Sequence, residues 1–418
     1  MILFAHLTLA ASVALGASME ARAPARMPAC APAPAAGLPT ADASRAGRTA
    51  VAFELVDNRI VIPVRVNGRG PRRFILDTGA DAGVDSDALD ALGVAAGAPT
   101  SIGGVGEQAR AASVVTLRDV RVGDIRLAEV RAFASSFAAD FEPVFGSYRI
   151  DGVIGEPLFA RYVVEIDYGR CVVTFIDPRA YTPAADSSVI PLDFAGHLPL
   201  VRATLDGVDG VFGLDTGART AIILYGPFVD RNGLRAKYAP EVEAITGWGI
   251  GGPVRSQVAR VRTLTLGTAT GDVTVRDLVA RLSTQRAGLM ATSSRAGLIG
   301  PDVLKQFVTT FDYGRRELIL RRSAAYGVRD TYDRSGMWIA QRGRELVVLD
   351  VVANGPAAAA GLSVGDVVLA VDGVAADALV LPTVRHRMRV APPGTRIRLQ
   401  VASGGQRRET TLVLRDLV

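Results

Sequence analysis

One seven-residue pattern occurs twice in the chain, at residues 74–80 (Phe-Ile-Leu-Asp-Thr-Gly-Ala) and at residues 212–218 (Phe-Gly-Leu-Asp-Thr-Gly-Ala). In both copies the aspartate follows apolar residues that are typical of the end of a buried strand. The glycine permits a tight turn, and its backbone N–H can approach the carboxylate. A single copy would usually be no more than a capped turn. Two copies indicate duplicated lobes that each carry one carboxylate.

The repeat extends well beyond these residues. An apolar-Ile-Gly segment follows each copy, at 153–155 and at 298–300, and from each glycine the two halves align without a gap to a shared Asp-Tyr-Gly-Arg. Glycine-rich segments that read as hairpins lie at corresponding places, at 101–106 and 246–252. Each half is therefore predicted to be one domain-sized lobe.

This combination resembles the lobe of the retroviral-type (retropepsin-like) aspartic proteases, and two lobes in one chain resemble the arrangement of pepsin. The resemblance implies a mostly β fold with two acid-protease β-barrel lobes in tandem. It implies that Asp77 and Asp215 are the catalytic pair, since two close carboxylates cannot both ionise and can share the roles of base and acid. It also assigns supporting roles to the residues after each aspartate: Thr78 and Thr216 would lock the two turns together, and Gly79 and Gly217 would donate backbone N–H groups.

The two glycine-rich hairpins would be flaps that close over a substrate and exclude water. The candidate flap residues are Gly103, Gly104, Gly106, Gly247, Trp248 and Gly249. Plain β-turns would also explain these glycines, and the sequence leaves open whether one hairpin or both act as flaps. Trp248 is either a substrate-facing ring or a packing residue.

After Arg322 the pattern changes, and residues 345–373 strongly resemble a bacterial PDZ domain of the kind attached to periplasmic proteases. In such domains a peptide adds as a strand beside a groove, and backbone N–H groups hold its terminal carboxylate. Position in the chain places that loop at 335–338, with Gly336, Met337 and Trp338 as candidate peptide-binding residues. A small β-domain that serves only as a spacer is the alternative.

The domain order expected from these features is a signal peptide (1–20), an Ala/Pro-rich linker (21–48), lobe 1 (49–182), lobe 2 (183–325) and a small α/β PDZ-like domain (326–418). The signal peptide predicts a periplasmic or secreted protein. The two cysteines, Cys30 and Cys171, lie in different contexts, one in the linker and one in a strand, so no disulfide framework is expected.

Composition narrows the remaining function classes. The net charge of +5 comes from 47 basic residues, of which all but two are arginine, and the short basic clusters lack interleaved aromatic residues. Nucleic-acid binding is therefore not expected. The three histidines are scattered, so neither a serine triad nor a histidine-based metal site is indicated. We expect no cofactor, no metal and no integral membrane span.

The sequence thus predicts an aspartic endopeptidase that hydrolyses peptide bonds in exported or envelope proteins, with the PDZ-like domain for recognition of a substrate or partner. Because one chain carries both aspartates, a monomer should suffice for the active site. Removal of the domain after Tyr326 is expected to leave cleavage of short peptides intact. The alternative is a non-catalytic binding protein with degenerate lobes and a peptide-binding PDZ domain.

Some positions depart from the family pattern. Asp81 matches the retroviral pattern, but its equivalent in lobe 2 is Arg219, and Glu156 and Pro301 replace the usual arginine after Ile-Gly. These differences concern the substrate subsites and the lobe contacts more than the aspartates.

Overall fold

The computed structural model describes Cys30 and residues 42–45, 47–267 and 272–418. The predicted signal peptide and most of the predicted linker lie outside these residues. Among the helices within the described ranges, none is long and apolar enough to cross a membrane.

The first half of the chain forms a barrel-like sheet with a few short helices. Its strands are β1 Asp42–Arg45, β2 Arg48–Ala52, β3 Glu54–Val56, β4 Arg59–Val66, β5 Arg69–Leu76, β6 Ala82–Asp85, β7 Ala98–Ile102, β8 Arg110–Val122, β9 Ile125–Ser135, β10 Gly152–Ile154, β11 Val163–Asp167 and β12 Val172–Ile176. Its helices are α1 Leu89–Leu92, α2 Ala138–Phe145 and α3 Glu156–Phe159, with 3-10 turns at Ser86–Ala88 and Pro178–Ala180.

The second half repeats this series of elements. Its strands are β13 Ser188–Pro191, β14 Asp193–Ala195, β15 Leu198–Leu205, β16 Val208–Leu214, β17 Ile222–Leu224, β18 Val242–Gly249, β19 Gly252–Leu266, β20 Val273–Ser283, β21 Gly297–Ile299, β22 Phe307–Asp312 and β23 Glu317–Arg322. Its helices are α4 Gly226–Arg231, α5 Leu234–Tyr238 and α6 Pro301–Leu304, with a 3-10 turn at Leu289–Ala291.

The strand orders show the duplication directly. Lobe 1 is an eight-stranded sheet in the order β3-β4-β5-β10-β6-β9-β8-β7, and lobe 2 is an eight-stranded sheet in the order β14-β15-β16-β21-β17-β20-β19-β18. In both, the strand that delivers the aspartate runs parallel to the Ile-Gly strand, with Leu76 beside Ile154 and Leu214 beside Ile299. The prediction of two similar β-barrel lobes is confirmed.

A third sheet joins the lobes. Its seven strands run in the order β1-β2-β12-β11-β22-β23-β13, and the antiparallel pair β11 and β22 at its centre brings one strand from each half together, with Ile166 opposite Thr309. One continuous core of buried aliphatic and aromatic side chains extends through both lobes and this joining sheet. Burial of this apolar surface is the main force that holds the two halves together.

The C-terminal domain is a separate small sheet with its own core. It contains β24 Met337–Arg342, β25 Glu345–Val351, β26 Val367–Val371, β27 Val374–Ala375, β28 Arg396–Ser403 and β29 Gln406–Val413, together with α7 Pro356–Ala359, α8 Leu381–Val390 and a 3-10 turn at Ala376–Ala378. Its apolar residues form a cluster distinct from the core of the lobes. The predicted small α/β domain is confirmed.

The expectation about the cysteines is wrong. Cys30 and Cys171 form a disulfide that spans 141 positions of the chain. The Cys30 carbonyl also accepts a hydrogen bond from the backbone N–H of Leu55, so the residue is fixed against lobe 1. The prediction placed Cys171 in a strand. It lies instead in the turn between β11 and β12, where its side chain reaches Cys30.

Candidate active site

The two Asp-Thr-Gly turns meet where the lobes face each other. Asp77 and Asp215 each follow a central strand, and their backbone N–H groups donate to Ile154 and Ile299 at 3.1 and 2.9 Å. These bonds connect each aspartate to the Ile-Gly segment of its own lobe. A Cβ atom at Gly155 would lie 1.8 Å from the carbonyl oxygen of Asp77, so only glycine allows this close packing.

The threonines connect the turns across the lobe boundary. The backbone N–H of Thr78 donates to Oγ1 of Thr216, and the reverse bond is also present, both at 3.0 Å. Each hydroxyl then donates to a carbonyl of the opposite lobe, Thr78 to Leu214 at 2.7 Å and Thr216 to Leu76 at 2.9 Å. Both threonines are buried, so this closed set of four bonds fixes the relative position of the two aspartates.

The two carboxyl groups lie side by side at the same cavity and interact electrostatically. The Gly79 N–H donates to Oδ1 of Asp77 at 2.7 Å, and the Ala218 N–H donates to Oδ1 of Asp215 at 2.9 Å. Gly217 packs directly under the Asp77 carboxyl group, where a Cβ atom would lie 2.3 Å from Oδ2.

Burial and mutual repulsion control the protonation of this pair. Burial and then the negative charge of Asp215 raise the pKa of Asp77, and burial raises the pKa of Asp215. Because the two groups titrate together, these shifts belong to the pair. The arrangement favours a state with one proton between two carboxyl groups, which is the state that can act as acid and base at once.

Both glycine-rich hairpins close over the aspartates. The tip of the β7–β8 hairpin contacts the tip of the β18–β19 hairpin, where the Gly106 N–H donates to the Ile250 carbonyl at 3.0 Å and the Gln108 N–H donates to the Gly251 carbonyl at 3.3 Å. A Cβ atom at Gly106 would lie 2.1 Å from the carbonyl carbon of Gly251. We name these hairpins flap 1 and flap 2.

The candidate flap glycines fall into two groups in this arrangement. Gly103, Gly104 and Gly106 lie in the tip of flap 1, whereas Gly247 and Gly249 lie on the β18 strand that leads to the tip of flap 2. The side chain of Trp248 lines the space beneath the flaps and also packs against an apolar cluster of lobe 1. Trp248 is therefore both a packing residue and a residue that faces the cavity, the two alternatives that the sequence left open.

A cavity of about 810 Å³ lies between the flaps and the aspartates. Apolar side chains line it on both sides of the pair, with Phe137, Phe141 and Val153 on the lobe 1 side and Ile223, Met290 and Leu298 on the lobe 2 side. Its size is that of a small-ligand or short-peptide site. Within the described residues, no group of three or more His, Cys, Asp or Glu side chains is arranged to hold a metal ion.

The residue that follows the repeated turn has different surroundings in the two lobes. Oδ1 of Asp81 in lobe 1 lies 2.6 Å from Nε2 of His197 in lobe 2, and both side chains are partly exposed. In lobe 2, the equivalent Arg219 pairs with Asp57 at 3.0 Å, and both side chains are largely buried. Burial alone would raise the pKa of Asp57, but Arg219, Arg385 and Arg59 hold it well below its usual range. Arg59 continues the network to the Gly217 carbonyl at 2.8 Å.

Sequence reasoning missed Asp57 and Arg385. Asp57 lies in the turn between β3 and β4, and no motif marks it. Arg385 lies in helix α8 of the C-terminal domain, more than 160 positions from Arg219, and no local pattern relates the two. One sequence feature could have indicated this network: the position of Asp81 in lobe 1 is occupied by Arg219 in lobe 2. A buried arginine at that position needs an acidic partner.

The predicted peptide-binding residues of the C-terminal domain do not face solvent. Gly336, Met337 and Trp338 are buried. The guanidinium groups of Arg385 and Arg219 lie over the Trp338 ring, 3.8 and 5.3 Å from its centre. The domain is thus packed against the lobes through the very loop that was expected to bind peptides. This interface argues against the expectation that the domain can be removed without effect on the protease lobes.

The fold and site together define a two-lobed acid-protease architecture with an attached PDZ domain. Comparison with known families agrees. Residues 62–158 match the family described as aspartyl protease, and residues 326–414 match the family described as PDZ domain. A similar solved structure is the aspartic proteinase from Irpex lacteus, with 9% sequence identity, a TM-score of 0.45 and coverage of 67% of this chain and 98% of that chain. No curated protein matches the chain. The predicted resemblance to both families is confirmed.

Proposed function

We propose that the protein is an aspartic endopeptidase that hydrolyses peptide bonds with water activated between Asp77 and Asp215. One observation carries this proposal: two aspartates from equivalent turns lie side by side at the base of a cavity that two flaps enclose. The raised pKa values that burial and repulsion produce are the property such a pair needs.

The reaction that this geometry supports is direct attack by water on the peptide carbonyl. The ionised carboxyl group takes a proton from the water while the water oxygen bonds to the carbonyl carbon. The protonated carboxyl group donates its proton to the carbonyl oxygen. The carboxyl group that took the proton from water then gives it to the leaving amine as the C–N bond breaks, and the other carboxyl group takes a proton back from a hydroxyl group of the intermediate. Closed flaps exclude bulk water, which strengthens these interactions.

We also propose that the protein acts outside the cytoplasm, on exported or envelope polypeptides. The disulfide between Cys30 and Cys171 supports this location, because disulfides persist in the periplasm and in secreted proteins and are rare in the cytosol. The PDZ domain supports a polypeptide substrate or partner, since PDZ domains in general bind peptide segments.

The test is cleavage of a peptide library by the purified chain and by the Asp215→Asn variant. We expect the chain to cleave and the variant to be inactive while it keeps the thermal unfolding profile of a folded protein. Mass spectrometry of the products identifies the bonds that are cut. Equal product formation by both proteins would show that a contaminant is responsible, and no cleavage by either under mildly acidic to neutral conditions would favour the non-catalytic alternative.

A further inference from the structure

The peptide groove of the PDZ domain is already occupied by groups of the same chain. The backbone N–H groups of Ser335 and Gly336 donate to Oδ1 of Asp333 at 2.9 and 3.0 Å, and the Met337 N–H donates to the Ser335 hydroxyl at 3.2 Å. These loop amides include those expected to hold the terminal carboxylate of a peptide. An internal carboxylate and an internal hydroxyl satisfy them instead.

Helix α2 of lobe 1 covers the strand and helix that form the groove. The Ser147 N–H donates to the side-chain carbonyl of Gln341 at 3.1 Å, and the Gly343 N–H donates to Glu142 at 3.0 Å. A Cβ atom at Gly146 would lie 2.1 Å from Oε1 of Gln341 on β24 and 3.3 Å from Cβ of Leu381 on α8. The end of α2 therefore lies between β24 and α8, which is where a bound peptide would lie in a PDZ domain.

The same helix holds the flap tips. Asp140 on α2 is buried and accepts from the Gly251 N–H at the tip of flap 2 at 3.3 Å. It also forms an ion pair with Arg110, the first residue of the β8 strand of flap 1, at 2.9 Å. One carboxylate thus contacts both flaps, and the segment that carries it is packed against the PDZ domain.

A second PDZ contact acts on flap 2 alone. Asp350 on β25 accepts from the Ile245 N–H at 2.6 Å and from Arg255 at 2.7 Å. Ile245 and Arg255 are directly opposite each other on the two strands of flap 2. Asp350 therefore holds both strands of this hairpin at its base.

We propose that the PDZ domain is a latch: its groove binds helix α2 of its own chain, and this docking holds both flaps closed over the aspartates. A polypeptide reaches the cavity only after the hydrogen bonds between the flap tips break, and release of the PDZ domain from α2 and from flap 2 makes that opening frequent. The latch would regulate the proposed peptidase. It rests on the proposed function because it assumes that the cavity binds the substrate.

Hydrogen exchange of the full chain tests the latch without reference to catalysis. In Asp350→Ala, flap 2 loses two hydrogen bonds to the PDZ domain. We expect amide exchange in segments 103–109 and 245–252 to be about tenfold faster or more, because hydrogen bonds to charged groups are strong. The matched control is Asp377→Ala, which removes an exposed ion pair with Arg344 inside the PDZ domain. Unchanged protection in β28 and β29 would show that the domain is still folded.

A reversible crosslink tests the converse. The Ser147→Cys/Gln341→Cys variant should join lobe 1 to β24 on oxidation, and we expect slower flap exchange and slower peptide cleavage than in the reduced protein. The single Ser147→Cys variant, treated identically, controls for reduction of the native disulfide. Flap exchange that is the same in Asp350→Ala and Asp377→Ala, or in the crosslinked and reduced proteins, would overturn the latch. Faster flap exchange without any peptidase activity would instead support the latch and contradict the proposed function.

A peptide with a free apolar C-terminus, such as Ala-Ala-Val-Leu-Val, provides the competing ligand, and its C-terminal amide is the control. If only the free acid accelerates flap exchange in the native chain, the groove exchanges α2 for an external terminus and the latch has a trigger. If neither peptide accelerates flap exchange, while exchange is faster in Asp350→Ala and slower in the crosslinked protein, helix α2 stays in the groove and the latch opens by another route.

Discussion

The two lobes have the same strand order and the same aspartate turn, yet their surroundings differ. In lobe 1 the residue after the turn is Asp81, which pairs with a partly exposed histidine, whereas in lobe 2 it is Arg219, which lies in a buried ion network beneath the PDZ domain. Lobe 1 has helix α2 between β9 and its Ile-Gly strand β10. Lobe 2 has only a short 3-10 turn at the corresponding place, between β20 and β21. The comparison shows that symmetry was kept where both carboxylates are needed and lost where a third domain docks.

The largest expected effect concerns the symmetric part. Asp77→Asn and Asp215→Asn should each reduce kcat by a factor of about 10³ or more, since each removes one partner of an acid–base pair. Steady-state cleavage of a reporter peptide measures this loss. A much smaller loss in one of the two variants would mean that the lobes do not contribute equally to the chemistry.

The next effect separates the lobes. Arg389 of the PDZ domain pairs with Asp302 of lobe 2 at 2.5 Å and with Asp330 at 2.9 Å, and all three side chains are buried. Lobe 1 has Pro157 at the position of Asp302 and makes no such pair. Arg389→Ala should lower the free energy of unfolding by about 3–5 kcal/mol, because it removes the ion pair of buried Asp330 and leaves buried Asp302 paired with Lys305 alone. Urea unfolding measures it.

The control for that experiment is Arg316→Ala, which removes an exposed ion pair with Asp193 and should cost about 1 kcal/mol or less. Similar losses in the two variants would show that the PDZ contact contributes no more than a surface pair.

The disulfide is confined to lobe 1, since the position equivalent to Cys171 in lobe 2 is Arg316. Cys171→Ser should lower the free energy of unfolding by about 2–4 kcal/mol, because the crosslink restricts the unfolded chain over a long loop. Thermal unfolding of the variant, and of the native chain with and without reductant, checks this. A reductant effect that persists in the variant would have to come from another source.

A smaller effect concerns stability and pH. The folded protein keeps a proton on the aspartate pair that the unfolded chain releases above the ordinary aspartate pKa, because burial and repulsion raise the folded-state pKa of Asp77. This contribution to stability is fully present below the unfolded pKa and is lost as pH rises through the folded one. Asp77→Asn should therefore be more stable than the native chain near pH 8, by on the order of 1 kcal/mol, and nearly equal near pH 4. Melting curves at the two pH values decide it.

The smallest expected effect is on the pH profile of kcat/KM. Ala80 and Ala218 have no hydroxyl group to bond an ionised aspartate, so we expect an optimum at about pH 5 to 6. Ala80→Ser and Ala218→Ser should each move the acidic limb to lower pH by about half a unit, because a charge-assisted hydrogen bond favours the ionised form. A native profile centred below about pH 3 would show that another donor already fills this role.

The features that occur in both halves of the chain could be predicted from the sequence. The two Asp-Thr-Gly turns, the Ile-Gly strands and the hairpins could be aligned with each other, and that internal comparison predicted the two lobes. The meeting of Asp77 with Asp215 and the threonine contacts were implied by the resemblance to the aspartic proteases. The disulfide, Asp57 and the docking of helix α2 were out of reach because each has no counterpart in the other half. Contacts between residues far apart in sequence leave no local periodicity, so only the folded chain brings Arg385 to Asp57 or Asp350 to Ile245.

The central pair of strands in the joining sheet has a consequence for the cell. Because β11 and β22 belong to one chain, each half of the catalytic pair meets its partner at an effective concentration that is set by the connecting chain and is independent of how many copies of the protein are present. A site assembled from separate half-sized chains would dissociate at low abundance, whereas both aspartates of this site belong to one chain. Under the proposed function, we expect control to act on access to the site, because dilution does not separate the two aspartates.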